Sequence, residues 1–232
     1  MTFNKADTAK ACARSTWKGV SIFLIDYVLL GLFAFLAVWP THWTVQLLFS
    51  LAAGSMIAAL FVVGHDAAHG ALTPYRWLNR LLGTLAFLPS MHPYSLWVKL
   101  HNLRHHRWTN LYPKDDVWTP LDMKGYQALP GYRRALYRFY RSVYGPLLYY
   151  LVEFWWKKFT WPSRKHHDEV TRQYVLDTLI VWAFALGYVA LLVYSAGAGW
   201  LGGEPRGWVL PVLFGAVIPF LFWNAYSGAS IY

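Results

Sequence analysis

Charge and cysteine are what this sequence has least of. Only 14% of its 232 residues are charged, where a soluble domain of similar length carries about a quarter. The single cysteine, Cys12, excludes a disulfide framework and any cluster that this chain alone would ligate through several thiolates. Internal repeats and low-complexity tracts are absent. So is the short apolar core of a signal peptide: the first apolar run is longer, and it leads into Trp39-Pro40-Thr41-His42-Trp43, an interfacial turn where a small-residue cleavage site would stand. What is abundant is apolar and aromatic surface, with 56% hydrophobic residues, 14 Trp and 16 Tyr. That balance is the composition of a membrane protein with aromatic belts.

The hydropathy pattern predicts an all-α, multi-pass chain of about four spans. Residues 19–39 are apolar apart from Ser21 and Asp26, long enough to cross about 30 Å of hydrocarbon. Asp26 reads as a packing contact between helices. A second span, 44–63, offers Ala52, Ala53, Gly54, Ala58 and Ala59 for close helix contacts. Residues 78–88 are too few to span and suit an interfacial or re-entrant segment ended by Pro89. A loop with Pro113, Asp115, Asp116, Pro120 and Pro130 follows. Arg134, Arg138 and Arg141 then share one helical face opposite Leu136, Phe139 and Val143, the pattern of a helix lying on a membrane surface. A second such piece is expected over 147–161. Residues 174–194 and a stretch within 208–232 supply the third and fourth spans.

The basic residues are unevenly placed. Of 21 Lys and Arg, four precede the first span, 16 lie from Arg76 to Arg172, and only Arg206 lies between the last two spans. The positive-inside rule puts the N-terminus and the long central segment in the cytoplasm. Topology and anionic lipid account for the net charge of +10, so no nucleic-acid partner is expected.

Six histidines fall in the 42 residues from His65 to His106, five of them in two clusters on either side of His92. His65 and His69 are four apart, so on a helix they share a face about 5.4 Å apart along the axis. His101 and His105 are expected to repeat that pairing, with His106 roughly 100° further round. Two such pairs facing each other make a nitrogen-rich metal site. A metallohydrolase of the His-Glu-x-x-His type would need a glutamate after the first histidine, and Asp66 followed by two alanines stands there instead. Imidazole suits zinc, copper, nickel and iron alike, and without that glutamate iron with open positions fits better than a hydrolytic metal. His42, His92, His166 and His167 read as amphipathic surface residues, the last two in a solvated turn beside Lys165 and Asp168.

These residues resemble a known family. Gly64-His65-Asp66-Ala67-Ala68-His69-Gly70, then Leu78-Asn79, Leu96-Trp97, and His101-Asn102-Leu103-Arg104-His105-His106-Arg107-Trp108-Thr109-Asn110 are similar to the integral-membrane fatty acid desaturases. The bacterial acyl-lipid branch that acts like the Δ12 (ω-6) enzymes is the nearest likeness. It extends through Asp116-Val117-Trp118-Thr119-Pro120 to Trp155-Trp156-Lys157-Lys158. The resemblance implies two iron ions held by histidines, with His65, His69, His101, His105 and His106 among the ligands. It implies O2 as co-substrate, a lipid-linked acyl chain as substrate, and a ferredoxin or small cytochrome as electron donor on the basic cytoplasmic face. A bacterial inner membrane is the expected location.

Two departures qualify the likeness. The second histidine group is His-x-x-x-His-His where many relatives have His-x-x-His-His, and the family's C-terminal third histidine box is absent. Residues 1–232 are therefore expected to form a single desaturase-like domain, truncated and with little or no activity alone. A histidine-box hydroxylase or carotenoid ketolase is the alternative enzyme, disfavoured by Thr109-Asn110 and Asp116-Val117-Trp118. A non-catalytic membrane remnant, or a partner for a separate C-terminal half, is the alternative of another class.

Overall fold

Four long apolar helices carry the chain through its thickness: α1 (Thr16–Val38), α2 (Trp43–Ala68), α8 (Arg172–Gly197) and α9 (Val209–Ser230), each long and apolar enough to cross a membrane. Between α2 and α8 lie the shorter α3 (Arg76–Phe87) and α4, which runs Tyr94–Val98, Lys99–His105 and His106–Trp108 without a break. Then come α5 (Met123–Ala128), α6 (Gly131–Tyr140) and α7, built from Pro146–Leu148, Tyr149–Trp156 and Lys157–Phe159. The computed structural model describes residues 13–109, 111, 114–115, 117, 120–202, 205 and 207–230, and no strand occurs among them. Lys5, Lys10, Cys12, Asn110, Pro113, Asp116, Trp118, Thr119, Arg206 and Tyr232 lie outside the described residues.

Local chemistry sets the helix ends. Ser15 and Thr171 cap α1 and α8 by accepting from the amides of Lys18 and Tyr174. His42, exposed in the turn between the first two spans, caps α2 by accepting from the Thr44 amide. Small residues let the spans approach. A side chain at Gly54 would lie 2.9 Å from the Pro219 carbonyl, so α2 and α9 touch backbone to backbone there. In α9 the turn before Pro219, Leu213–Val217, is π-helical, the local adjustment that a proline without an N–H commonly brings.

One buried acid fixes the layer beneath the spans. Asp177, 2% exposed near the start of α8, accepts from the Ser95 amide at 2.9 Å, from Gln173 Nε2 at 2.6 Å and from Arg80 Nη2 at 3.4 Å. It thereby ties the N-terminus of α4 and the outer face of α3 to the third span. An aromatic core built around Phe87, Trp97, Tyr150, Trp155 and Phe159 fills the space between α3, α4 and α7. The expected interfacial helix at 78–88 is α3. The second amphipathic piece is not a surface helix throughout. Tyr150, Phe154, Trp155 and Phe159 of α7 are buried, because the π-helical turns over Tyr149–Trp156 bring them onto one inward face.

Candidate metal centre

The last turn of α2 and the middle of α4 bring the histidines together. Gly64 is pressed against Phe87: a Cβ there would sit 2.3 Å from the ring, so only glycine lets α2 reach α3 at this level. His65 and His69 follow on the exposed end of the helix. The helix then stops at Gly70, whose φ of 66° is the left-handed conformation glycine favours. Arg14 Nη1 donates to the Gly70 carbonyl at 2.6 Å.

In α4 the sequence-based pairing is corrected. Lys99–His105 is π-helical, and the His106 amide donates to the His101 carbonyl five residues back. A turn closed at five residues brings His101 and His106 onto one face, edge to face, and moves His105 off it. His101 Nε2 and His106 Nε2 are 3.0 Å apart. His105 turns the other way, and its Nδ1 donates to Asp115 at 3.0 and 3.1 Å from the two carboxylate oxygens. Asp115 is fully buried and also accepts from the Val117 amide at 3.0 Å.

His65, His69, His101 and His106 thus each offer a ring nitrogen, all within 4.8 Å of one another. Ring centroids lie 4.5 Å apart for His65 and His69, 4.9 Å for His65 and His101, and 4.8 Å for His69 and His106. His105 is not part of that group, with its ring 5.4 Å from His101 and 5.6 Å from His106. Trp97 stacks on His101 at 4.2 Å. Asn102 Nδ2 donates to the Ala68 carbonyl at 2.9 Å, joining α4 to the end of α2.

The electrostatics favour the neutral form of His101 and His69. Burial, reinforced by the surrounding histidines, pushes His101 down to about 3. Burial and its neighbours His65 and His106 lower His69, against an opposing pull from Asp66. Asp66 at 3.1 Å from His65 Nδ1 holds a proton on that nitrogen and leaves Nε2 as a lone-pair donor. Two ring nitrogens facing each other at 3.0 Å without an acid between them are unfavourable together unless a proton or a cation is shared. An all-imidazole donor set of this kind suits a transition-metal ion such as iron, copper, nickel or zinc.

Beside the histidines lies a cavity of about 320 Å³. His65, His101 and His105 form one end, and Phe61, Tyr150 and Trp223 the apolar remainder. Below it sits His92, which the sequence assigns to the surface and the structure buries completely. Its Nδ1 donates to the Ser90 carbonyl at 2.8 Å, and its Nε2 accepts from the Tyr150 hydroxyl at 3.1 Å. Burial pushes it down to about 3, so it stays neutral. His167, expected in a solvated turn, is 3% exposed because its Nε2 donates to the Lys158 carbonyl at 2.9 Å. His166 is half-buried. Sequence reasoning missed Asp115 as a partner of His105 and Asn102 as a clamp. The only available signal was an acid ten residues past a histidine, which alone identifies nothing.

Comparison with known proteins fits this geometry. The profile of a family described as fatty acid desaturase matches residues 41–228. The chain is 32% identical over 199 residues to an omega-6 fatty acid desaturase, chloroplastic, of Brassica napus, covering 85% of this chain and 42% of that protein. An sn-1 oleoyl-lipid 12-desaturase of Picosynechococcus sp. is 38% identical over 112 residues, covering 48% and 31%. An sn-1 acyl-lipid omega-3 desaturase (ferredoxin) of Nostoc sp. is 34% identical over 113 residues, covering 49% and 31%. The chain therefore spans from under a third to under half of the length of these relatives.

Proposed function

This chain belongs to the fatty acid desaturase family, and from that premise we propose that it serves the O2-dependent insertion of a double bond into a lipid-linked acyl chain at a histidine-ligated di-iron site. One observation carries the reading. His65 and His101 of the four-histidine group line a largely apolar cavity, in a chain whose long helices suit a bilayer. His65, His69, His101 and His106 would hold one ion. His105, braced by Asp115, would bind a second, for which the described residues bring no further group of three such donors. When bound, the iron ions would supply the oxidant needed to break C–H bonds that carry no activating group.

The protein's own residues account for the rest. Asp66 and Asp115 fix the ring tautomers, so the lone pairs point inward without rearrangement. Phe61, Trp97 and Trp223 give the acyl chain a dry wall and keep water from the reacting carbons. Removing two hydrogens while O2 is reduced to two waters takes two electrons and two protons from outside. Arg133 on α6, with Lys157 and Lys158 on α7, lines a basic cleft for an acidic ferredoxin or small cytochrome. The N-terminus and the histidine helices are assigned to the cytoplasmic side of a bacterial inner membrane.

The gene, with its native flanking DNA, should be expressed in a host lacking polyunsaturated lipids and membrane fatty acids profiled by gas chromatography, alongside iron per purified chain. New double bonds lost in His101→Ala are expected. Iron-loaded, membrane-inserted protein that yields none would overturn the reading.

A further inference from the structure

A second cavity, of about 410 Å³, lies among the four spans and shares no lining residue with the histidine cavity. That volume is within the range of about 300–1,000 Å³ typical of small-molecule sites. Its shape follows from how α1 and α8 diverge. At one end the two helices meet through Val38, Leu192 and Ala196, which form a small buried cluster with Leu201. Away from that end, Tyr27, Gly31 and Ala34 of α1 face Phe184 and Tyr188 of α8 across open space. The residues from Tyr27 to Ala34 cover about 10 Å of helix, so the opening is a slot parallel to the spans.

The other end is closed by Pro89 and Met91, from the turn after α3. Met91 has φ 57°, the one non-glycine among the described residues in the left-handed region. Its carbonyl accepts from the Trp155 indole at 3.0 Å, which holds the turn in that conformation. Trp155 also packs on Phe220 of α9 at 5.0 Å. This turn and Phe220 line the slot, while Trp223, one turn further along α9, lines the histidine cavity.

The slot offers a ligand almost nothing but carbon. Its two hydroxyls are already engaged: Tyr27 donates to the Leu85 carbonyl and Tyr188 to the Gly215 carbonyl, the latter at 2.9 Å. Water entering such a space would find too few partners. A side chain added at Gly31 would meet nothing within 4 Å, so the space is not left over from tight helix packing. Between helices that cross a bilayer, the apolar molecule at hand is lipid.

We infer that this slot is a resident-lipid site, holding one acyl chain of a bilayer lipid apart from the histidine cavity. The inference rests on the four helices being membrane spans and not on the desaturase reaction, so either can fail alone.

The test is photolabelling of the purified protein in nanodiscs containing phosphatidylcholine with a diazirine in mid-chain, mapped by peptide mass spectrometry. Label is expected at Leu30, Ala34 and Phe184, and also at Val28 and Leu32, which face outward. In Gly31→Phe the slot is filled, and label at Leu30, Ala34 and Phe184 should be lost while Val28 and Leu32 keep theirs. Val28→Phe should leave the slot labelling intact. Ala185→Leu, from the opposite wall, should give the same loss if Gly31→Phe does not fold. Slot residues unlabelled in the wild type, or labelled equally in the filled variants, would overturn the inference. So would joint loss of label from Tyr150 and Trp223 in Gly31→Phe, since the two cavities would then be one tunnel for substrate.

Discussion

The register of α4 makes a prediction that separates two neighbouring histidines. In a regular α-helix, residue i+4 lies about 40° from residue i and i+5 about 140° away, so His105 would share the face of His101. The π-helical turn reverses this, placing His106 Nε2 3.0 Å from His101 Nε2 and leaving His105 on Asp115. A metal ion at the four-histidine group therefore loses a ligand in His106→Ala and keeps all four in His105→Ala. Four-ligand transition-metal sites are worth about 10–16 kcal/mol, or roughly 2.5–4 per ligand, which corresponds to a weakening of about 10² to 10³. Titrating the metal-free purified protein with cobalt(II), read by its ligand-field absorption, measures the first binding event directly. His106→Ala should raise the first dissociation constant by about 10² or more, and His105→Ala by less than about threefold. Equal losses in both variants would refute the register, and with it the assignment of the four-histidine group.

Other expectations follow from named contacts. Asp115→Asn removes the buried carboxylate that accepts from His105 and from the Val117 amide, and should destabilise the fold by about 1–3 kcal/mol, seen as a lower thermal midpoint in detergent. Gly64→Ala forces a methyl into the Phe87 ring and should destabilise the fold by about 1–3 kcal/mol, seen as a lower thermal midpoint in detergent. His92, held neutral by burial, binds a proton more readily once unfolded. Its contribution to stability is therefore complete above its ordinary value of 6.5 and declines as pH falls toward about 3, at up to about 1.4 kcal/mol per pH unit. The melting temperature should fall more steeply between pH 6.5 and 5 for the wild type than for His92→Gln, and parallel curves would sink this account.

How far the sequence could be read depended on whether the signal was local. The spans were legible because each is one continuous apolar run, and α3 because it is too short to cross and is bounded by Pro89. The histidines stood out because two groups recur at helical spacing. Their pairing within α4 was not legible, since a π turn is favoured by tertiary contacts such as the Asn102 clamp and the Trp97 stack and not by the residues' own propensities. The sequence places His92 at the surface because little near it in sequence covers it. Tyr150, Phe159 and Trp223, which do, come from elements 58 or more residues away. The inward face of α7 was hidden for the same reason as the α4 register: an α-helical wheel spreads Tyr150, Phe154, Trp155 and Phe159, and a wider turn gathers them.

The buried Asp177 has a consequence for how the protein is made. It anchors the Ser95 amide at the start of the histidine-bearing helix from 82 residues downstream. At about 5–20 residues per second, the ribosome delivers that anchor roughly 4–16 s after Ser95 itself. For that interval α4 has no carboxylate at its N-terminus, and His92 likewise waits for Tyr150. Metal arriving early would meet a helix joined to α2 through Asn102 but not yet anchored to the third span. Insertion of the third span is thus the event that commits the histidine layer to its place, and loading should follow it in time.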